Sequence, residues 1–262
     1  MSTRRELLVT ISAGILYPGF SAEDDFPLLQ GLLGADVALP LVHTLMREDA
    51  HRVDALLDVG GAEVLADGAR RLLAEHSVDS VVWACTSGSF VFGRDGAREQ
   101  VERLEQVVGL PASSTSFAFE HAAAQLGLTR VAVAATYPAE VAERFVRFLA
   151  GAGLEVVRMS ARGIVTAAEV GTLGREQVLE FAAAHDHERA EALLLPDTAL
   201  HTAAWLDELE RHVGKPVLTA NQVSAWEGLR LAGGAGRRGG VGSLFGGGVS
   251  ASAAGWQGVS RG

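Results

Sequence analysis

The chain has 262 residues, 48% of them hydrophobic, enough for one large domain or two small ones and too many for disorder over most of its length. Its formal net charge of −10 argues against a nucleic-acid partner and against an anionic membrane surface. The one cysteine excludes an intramolecular disulfide framework and suits a reducing cytosol.

Arg4-Arg5 ahead of the apolar residues 7–16 imitate a secretory signal, but Glu6 interrupts the charge and Tyr17-Pro18-Gly19-Phe20 is no small-residue cleavage site. Residues 7–16 read instead as a first buried strand, closed by a Tyr-Pro-Gly turn. Residues 21–44, with Pro27 and Pro40, read as irregular and suited to an active-site flap. Between 53 and 76 apolar residues recur at helical spacing, broken near Gly60-Gly61. Residues 81–84 read as a buried strand that stops on Cys85-Thr86-Ser87-Gly88-Ser89. A helix is predicted over 97–108, and a hydroxyl from Ser113-Ser114-Thr115-Ser116 is expected to cap a helix over 117–126.

Residues 131–135 form the next predicted strand, ending on Tyr137-Pro138, followed by a helix over 139–150 and a strand over 154–159. A helix over 175–190 precedes a strand over 192–195, which ends in Pro196-Asp197-Thr198. Then come a helix over 203–212, a strand over 217–219 and a helix over 225–231. From Gly233 the chain is rich in Gly, Ala and Ser and reads as a flexible tail with one docking point at 241–245. No apolar run reaches the roughly eighteen residues of a membrane span, so a soluble, cytoplasmic protein is expected.

Alternating strands and helices predict an α/β fold with parallel sheets. Its halves echo each other: a strand ending in Tyr-Pro is followed by one ending in Cys85-Thr86 or in Asp197-Thr198. Two such units face to face would bring Cys85 and Asp197 to one cleft, at the strand ends where α/β sheets bind ligands. Backbone N–H groups and a helix N-terminus there would favour a Cys85 thiolate, whereas the alternative is a buried structural cysteine. Cys85 and Asp197 could carry protons to and from one carbon, or Cys85 could attack an electron-poor double bond while Asp197 handles the proton. Asp197 could equally cap the helix after its strand. Tyr17 and Tyr137 each end a strand, and either hydroxyl could donate to a substrate oxygen or serve as an amphipathic strand end.

His185-Asp186-His187-Glu188 looks like a metal cluster, but consecutive helical residues point apart and it reads as a solvated face. The other histidines show no ligand spacing; His201, four residues after Asp197, stays under watch. Zinc, nucleophile-elbow, Walker and Rossmann signatures are missing.

Ala84-Cys85-Thr86-Ser87-Gly88-Ser89, residues 131–137, Gly214-Lys215-Pro216-Val217, Asn221-Gln222, Trp226 and Leu231-Ala232-Gly233 carry a resemblance over nearly the whole chain. It resembles the aspartate/glutamate racemase superfamily, in its maleate cis-trans isomerase and arylmalonate decarboxylase branch. The resemblance implies two similar Rossmann-like lobes related by pseudo-twofold symmetry, with the active site between them. It implies cofactor-independent chemistry on carbons next to a carboxylate, with no metal or organic cofactor needed. Cys85 falls where the isomerases and racemases keep their first catalytic cysteine; Thr86, Ser87 and Tyr137 match donors to a substrate carboxylate or enediolate. The second catalytic cysteine should follow Leu195, where this chain has Asp197. The isomerases also tend to carry an asparagine soon after the first strand, where this chain has Tyr17-Pro18-Gly19-Phe20-Ser21.

The expectation is an isomerase or racemase of a small carboxylic acid, with Cys85 and Asp197 as catalytic residues and Thr86, Ser87, Tyr137, Thr198 and Tyr17 binding substrate. The alternatives are a malonate decarboxylase with Cys85 as proton donor and a non-catalytic carboxylate-binding protein. The expected partner is the small acid alone, with homo-oligomerisation left open. The expected division is a first lobe of 1–115 with 220–245, a second of 116–219, and a flexible tail of 246–262.

Overall fold

The computed structural model describes residues 10–246. Two parallel sheets organise them. The first contains β1 (Ile11–Pro18), β2 (Val37–Ala38), β3 (Leu41–Thr44), β4 (Ser80–Trp83) and β5 (Ala112–Ser114). β2 pairs with the start of β1 and β3 with its end, so the two act as one edge strand interrupted at Leu39-Pro40. An edge tolerates the proline that a central strand would not. β4 lies on the other side of β1, and β5 beyond it.

The second sheet contains β6 (Arg130–Ala135), β7 (Glu155–Ala161), β8 (Ala192–Leu195) and β9 (Val217–Thr219), in the order β7-β6-β8-β9. Both sheets therefore run second–first–third–fourth, the α/β architecture of two like units. β4 and β8 are buried along their whole length, which explains their unbroken apolar runs. A shared core joins the units, running from Phe90 through Phe119 and Phe145 to Leu218 and Val223. Among the described residues no helix is long and apolar enough to cross a membrane.

Residues 21–44 differ from the irregular flap expected. They hold helix Asp25–Leu33 and the strands β2 and β3. Pro27 lies in the first turn of that helix, where its missing N–H has no intrahelical partner to lose. The last long helix spans Ala220–Leu231 and starts earlier than apolar spacing suggested, because Thr219 and Gln222 close a capping box at its start. Helix Thr115–Gln125 packs on helix Ala220–Leu231.

Residues 233–246 lie against the body: Arg238 pairs with Asp36 at 2.6 Å, and Val241, Leu244 and Phe245 are buried. The tail expected beyond Gly246 and residues 7–9 of the first apolar run lie outside the described residues.

Candidate active site

The site grows from the carboxyl end of β4. Ala84 is tied to β1 by its N–H on the Leu16 carbonyl at 2.8 Å, and Cys85 follows. The next residues form one helical turn, Ser87–Phe90, whose Gly88 N–H donates to Cys85 Sγ at 3.3 Å. Ser87 Oγ lies 3.8 Å from the same sulfur.

Of the 113–116 hydroxyls, those of Ser114 and Ser116 brace this turn, and none caps the helix that follows. Ser114 occupies the cap position of Thr115–Gln125 without a side-chain cap bond. It meets Ser89 Oγ at 2.9 Å instead, while Ser116 Oγ donates to the Thr86 carbonyl at 2.9 Å. From the outer side Gln100 Nε2 donates to the carbonyls of Gly88 at 3.0 Å and Gly60 at 2.8 Å. Gly60 must be glycine, since a Cβ there would come 2.1 Å from the Gly88 oxygen.

Asp197 enters from the carboxyl end of β8. Its Oδ1 accepts the Ala199 N–H at 3.0 Å, and its Oδ2 takes a short hydrogen bond from the Thr136 hydroxyl. This is an Asx turn and not the helix cap that was the alternative for Asp197, because no helical turn begins before Ala203. The two tyrosines fix the loop on either side of it. Tyr137 donates to the Pro196 carbonyl at 2.7 Å, and Tyr17 to the Thr198 carbonyl at 2.9 Å. In this arrangement both hydroxyls bond backbone carbonyls of the Asp197 loop. Burial holds both phenols above their ordinary range, and the Asp197 charge adds to this.

Cys85, Ser87, Tyr17, Asp197, Thr198 and His51 line one cavity of about 30 Å³. Thr86 and Tyr137 are buried and do not line it, and the Thr86 hydroxyl has no hydrogen-bond partner. An orphaned hydroxyl next to a cavity is a donor awaiting an acceptor. The cavity roof is the loop after β3, which includes Met46, Asp49 and His51. Asp49 accepts the N–H groups of Ala167 at 2.7 Å and Ala168 at 2.9 Å, and the His51 N–H donates to the Val165 carbonyl at 2.7 Å.

Burial pushes the Cys85 thiol up to about 11, the Asp197 charge adding to it and the Gly88 N–H and Ser87 pulling the other way. The thiolate expected from sequence is therefore not the resting state. One helical turn supplies too little positive potential to offset desolvation.

Sequence reading missed two residues. His51 packs its ring edge-on against Tyr137, with centroids 5.0 Å apart, and brings Nε2 to 4.0 Å from Asp197 Oδ2. Thr136 holds that same oxygen. Nothing local marks His51, whose hydrogen-bond partners lie more than a hundred residues away, whereas Thr136 precedes a strand-end tyrosine. His201 turns to Asp24 at 2.8 Å. Lys215 holds Asp186, and His185 Nδ1 bonds its own helix at Phe181. Among the described residues no group of three His, Cys, Asp or Glu side chains is placed to hold a metal.

The arylmalonate decarboxylase family model matches residues 56–245, which include both loops that meet at the cavity. The arylmalonate decarboxylase of Bordetella bronchiseptica is 32% identical over 189 residues, covering 70% of this chain and 77% of that protein. The chain belongs to the arylmalonate decarboxylase family.

Two solved structures extend the comparison. One is a liganded arylmalonate decarboxylase variant in which a glycine is replaced by cysteine and a cysteine by serine. It is 26% identical with a TM-score of 0.77, covering 90% of this chain and 99% of that one. The maleate isomerase of Pseudomonas putida S16 has a TM-score of 0.80 at 21% identity, covering 91% and 99%, and shares the fold. Family membership and fold both agree with the branch expected from the residues around Cys85 and Gly214.

Proposed function

We propose that the protein decarboxylates a substituted malonate and that the Cys85 thiol protonates the carbanion. One observation carries this reading: the chain's one thiol is buried in a cavity with no Lys or Arg on its wall, and so rests as an acid. The bond to one carboxylate carbon breaks and CO₂ leaves. Its electron pair passes into the remaining carboxylate as an enediolate, the thiol S–H protonates the carbon, and solvent returns a proton to sulfur. Thr86, with its unpartnered hydroxyl, and Ser87 are the donors suited to the enediolate oxygens. The 32% identity to a curated arylmalonate decarboxylase supports the reading.

A second reading, isomerisation or racemisation next to a carboxylate, is favoured by Asp197, a second proton-carrying side chain in the same cavity. Proton NMR in D₂O with phenylmalonate, phenylacetate and maleate, beside Cys85→Ala, separates them. Phenylacetate formed by wild type alone supports decarboxylation. Fumarate from maleate, or α-deuteration of phenylacetate without carbon loss, moves the second reading ahead. Silence on all three would sink both.

A further inference from the structure

We propose that the groove between helix Ala62–Glu75 and helix Gly93–Val108 is a second ligand site, which takes a phenolic carboxylic acid and steadies the Cys85 turn from outside. The groove holds about 350 Å³, the size of a small-molecule site and far larger than the space beside the thiol. Leu65, Ala66, Leu104 and Val107 give it an apolar wall suited to an aromatic ring.

Gln100 forms the inner end of the groove, buried and with its amide half used. Nε2 donates to the carbonyls of Gly60 at 2.8 Å and Gly88 at 3.0 Å, which fixes Oε1 as the acceptor on the other side of the amide. That oxygen has no hydrogen-bond partner, so a phenol O–H supplies what the protein leaves out. The Gly60 bond sets Gln100 level with the start of helix Ala62–Glu75, and Arg70 lies toward its other end. Arg70 has no carboxylate partner among the described residues, whereas Arg103 on the facing helix leans on Glu99 at 3.5 Å. Glu63, the remaining acid on the wall, is two helical turns from Arg70, about 10 Å. A carboxylate therefore finds its counter-charge at the Arg70 end, with the phenol at Gln100.

The groove reaches the thiol through one residue. Gly88 is held by Gln100 at its carbonyl, and its N–H donates to Cys85 Sγ. A ligand that fixes the Gln100 amide removes motion from Gly88, and a buried thiol reacts only when local motion opens it.

The test uses the full chain with ¹³C-labelled Leu and Val methyls, titrated with 3-(4-hydroxyphenyl)propionate. Saturable shifts at Leu65 and Leu104, with a Kd in the millimolar range, and none at Leu56 or Val59 beside Cys85 are expected. Shifts confined to Leu56 and Val59, shifts that follow protein concentration as a second copy would cause, or no shift at all overturn the site. Arg70→Met, an exposed change, should weaken binding roughly tenfold, as should removing the hydroxyl from the ligand, 3-phenylpropionate. Equal binding in either case overturns the assigned orientation. Saturating ligand should slow alkylation of Cys85 by iodoacetamide roughly fivefold in wild type, and far less in Arg70→Met at the same concentration. An unchanged rate overturns the link to Cys85. Neither readout needs turnover, so a chain that converts no malonate or maleate loses the decarboxylase reading while the methyl shifts still decide this one.

Discussion

The phenol of Tyr17, at the end of the first sheet's central strand, donates to the carbonyl of Thr198 in the second unit over 2.9 Å. Asn221 Nδ2 donates to that same carbonyl at 3.1 Å. The loop carrying Asp197 is thereby positioned by the opposite half of the molecule. Tyr17→Phe leaves the carbonyl one donor, so the loss of stability should be modest, about 1 kcal/mol. Chemical denaturation measures this, and a loss several times larger would mean that the hydroxyl also holds Ser21 and the Ala22 N–H in a cooperative unit.

A thiol held near 11 has a thiolate fraction that grows about tenfold per pH unit over the range below that value. Alkylation of Cys85 by iodoacetamide should therefore be slow at pH 7 and accelerate steadily to at least pH 10. A rate already level by pH 8 would contradict the buried, protonated thiol. Cys85→Ala should lower turnover on the order of 10²–10⁴-fold while leaving the fold intact.

Gly60 and Gln100 reach the sulfur through Gly88. A Cβ at position 60 would force the Gly88 peptide away, and with it the N–H that donates to Cys85 Sγ. Gly60→Ala should cost about 1–3 kcal/mol, the usual range for overpacking, and lower turnover together with stability. Gln100→Ala should slow turnover with a smaller loss of stability, because it frees the Gly88 carbonyl without a clash. Thermal melts beside initial rates separate the two effects.

Far from the cavity, Glu227 is fully buried. Burial pushes its carboxyl up, but hydrogen bonds from His121 and Arg230 prevail and hold it down to about 2. A depressed carboxyl contributes stability above its unfolded value, and that contribution fades as pH falls through the folded one. Stability should thus drop by roughly 3 kcal/mol between about pH 4.5 and pH 2 through this group alone. Glu227→Gln should flatten that part of the profile, as urea melts across the range would reveal.

The sheets were legible because β4, β8 and β9 are continuous apolar runs bounded by polar or proline residues. Helix Asp25–Leu33 was hidden by Pro27, which reads as a breaker unless its place in the first turn is known. Cys85 and Asp197 stood out because each follows such a run at the strand end where α/β sheets bind ligands. His51 did not, since its importance comes from Ile164 and Asp197, and long-range proximity leaves no periodic trace. For the hydroxyls of Ser114 and Ser116 local rules offer a helix cap, whereas tertiary packing supplies Ser89 and Thr86.

A cavity of about 30 Å³ has room for a water molecule or two and not for an aryl acid. Its roof is the loop after β3, bonded through Asp49 and His51 to residues 164–168. An acid larger than this space would have to part those bonds to enter, and a turnover limited by that parting would slow in viscous solvent while its chemistry stayed untouched.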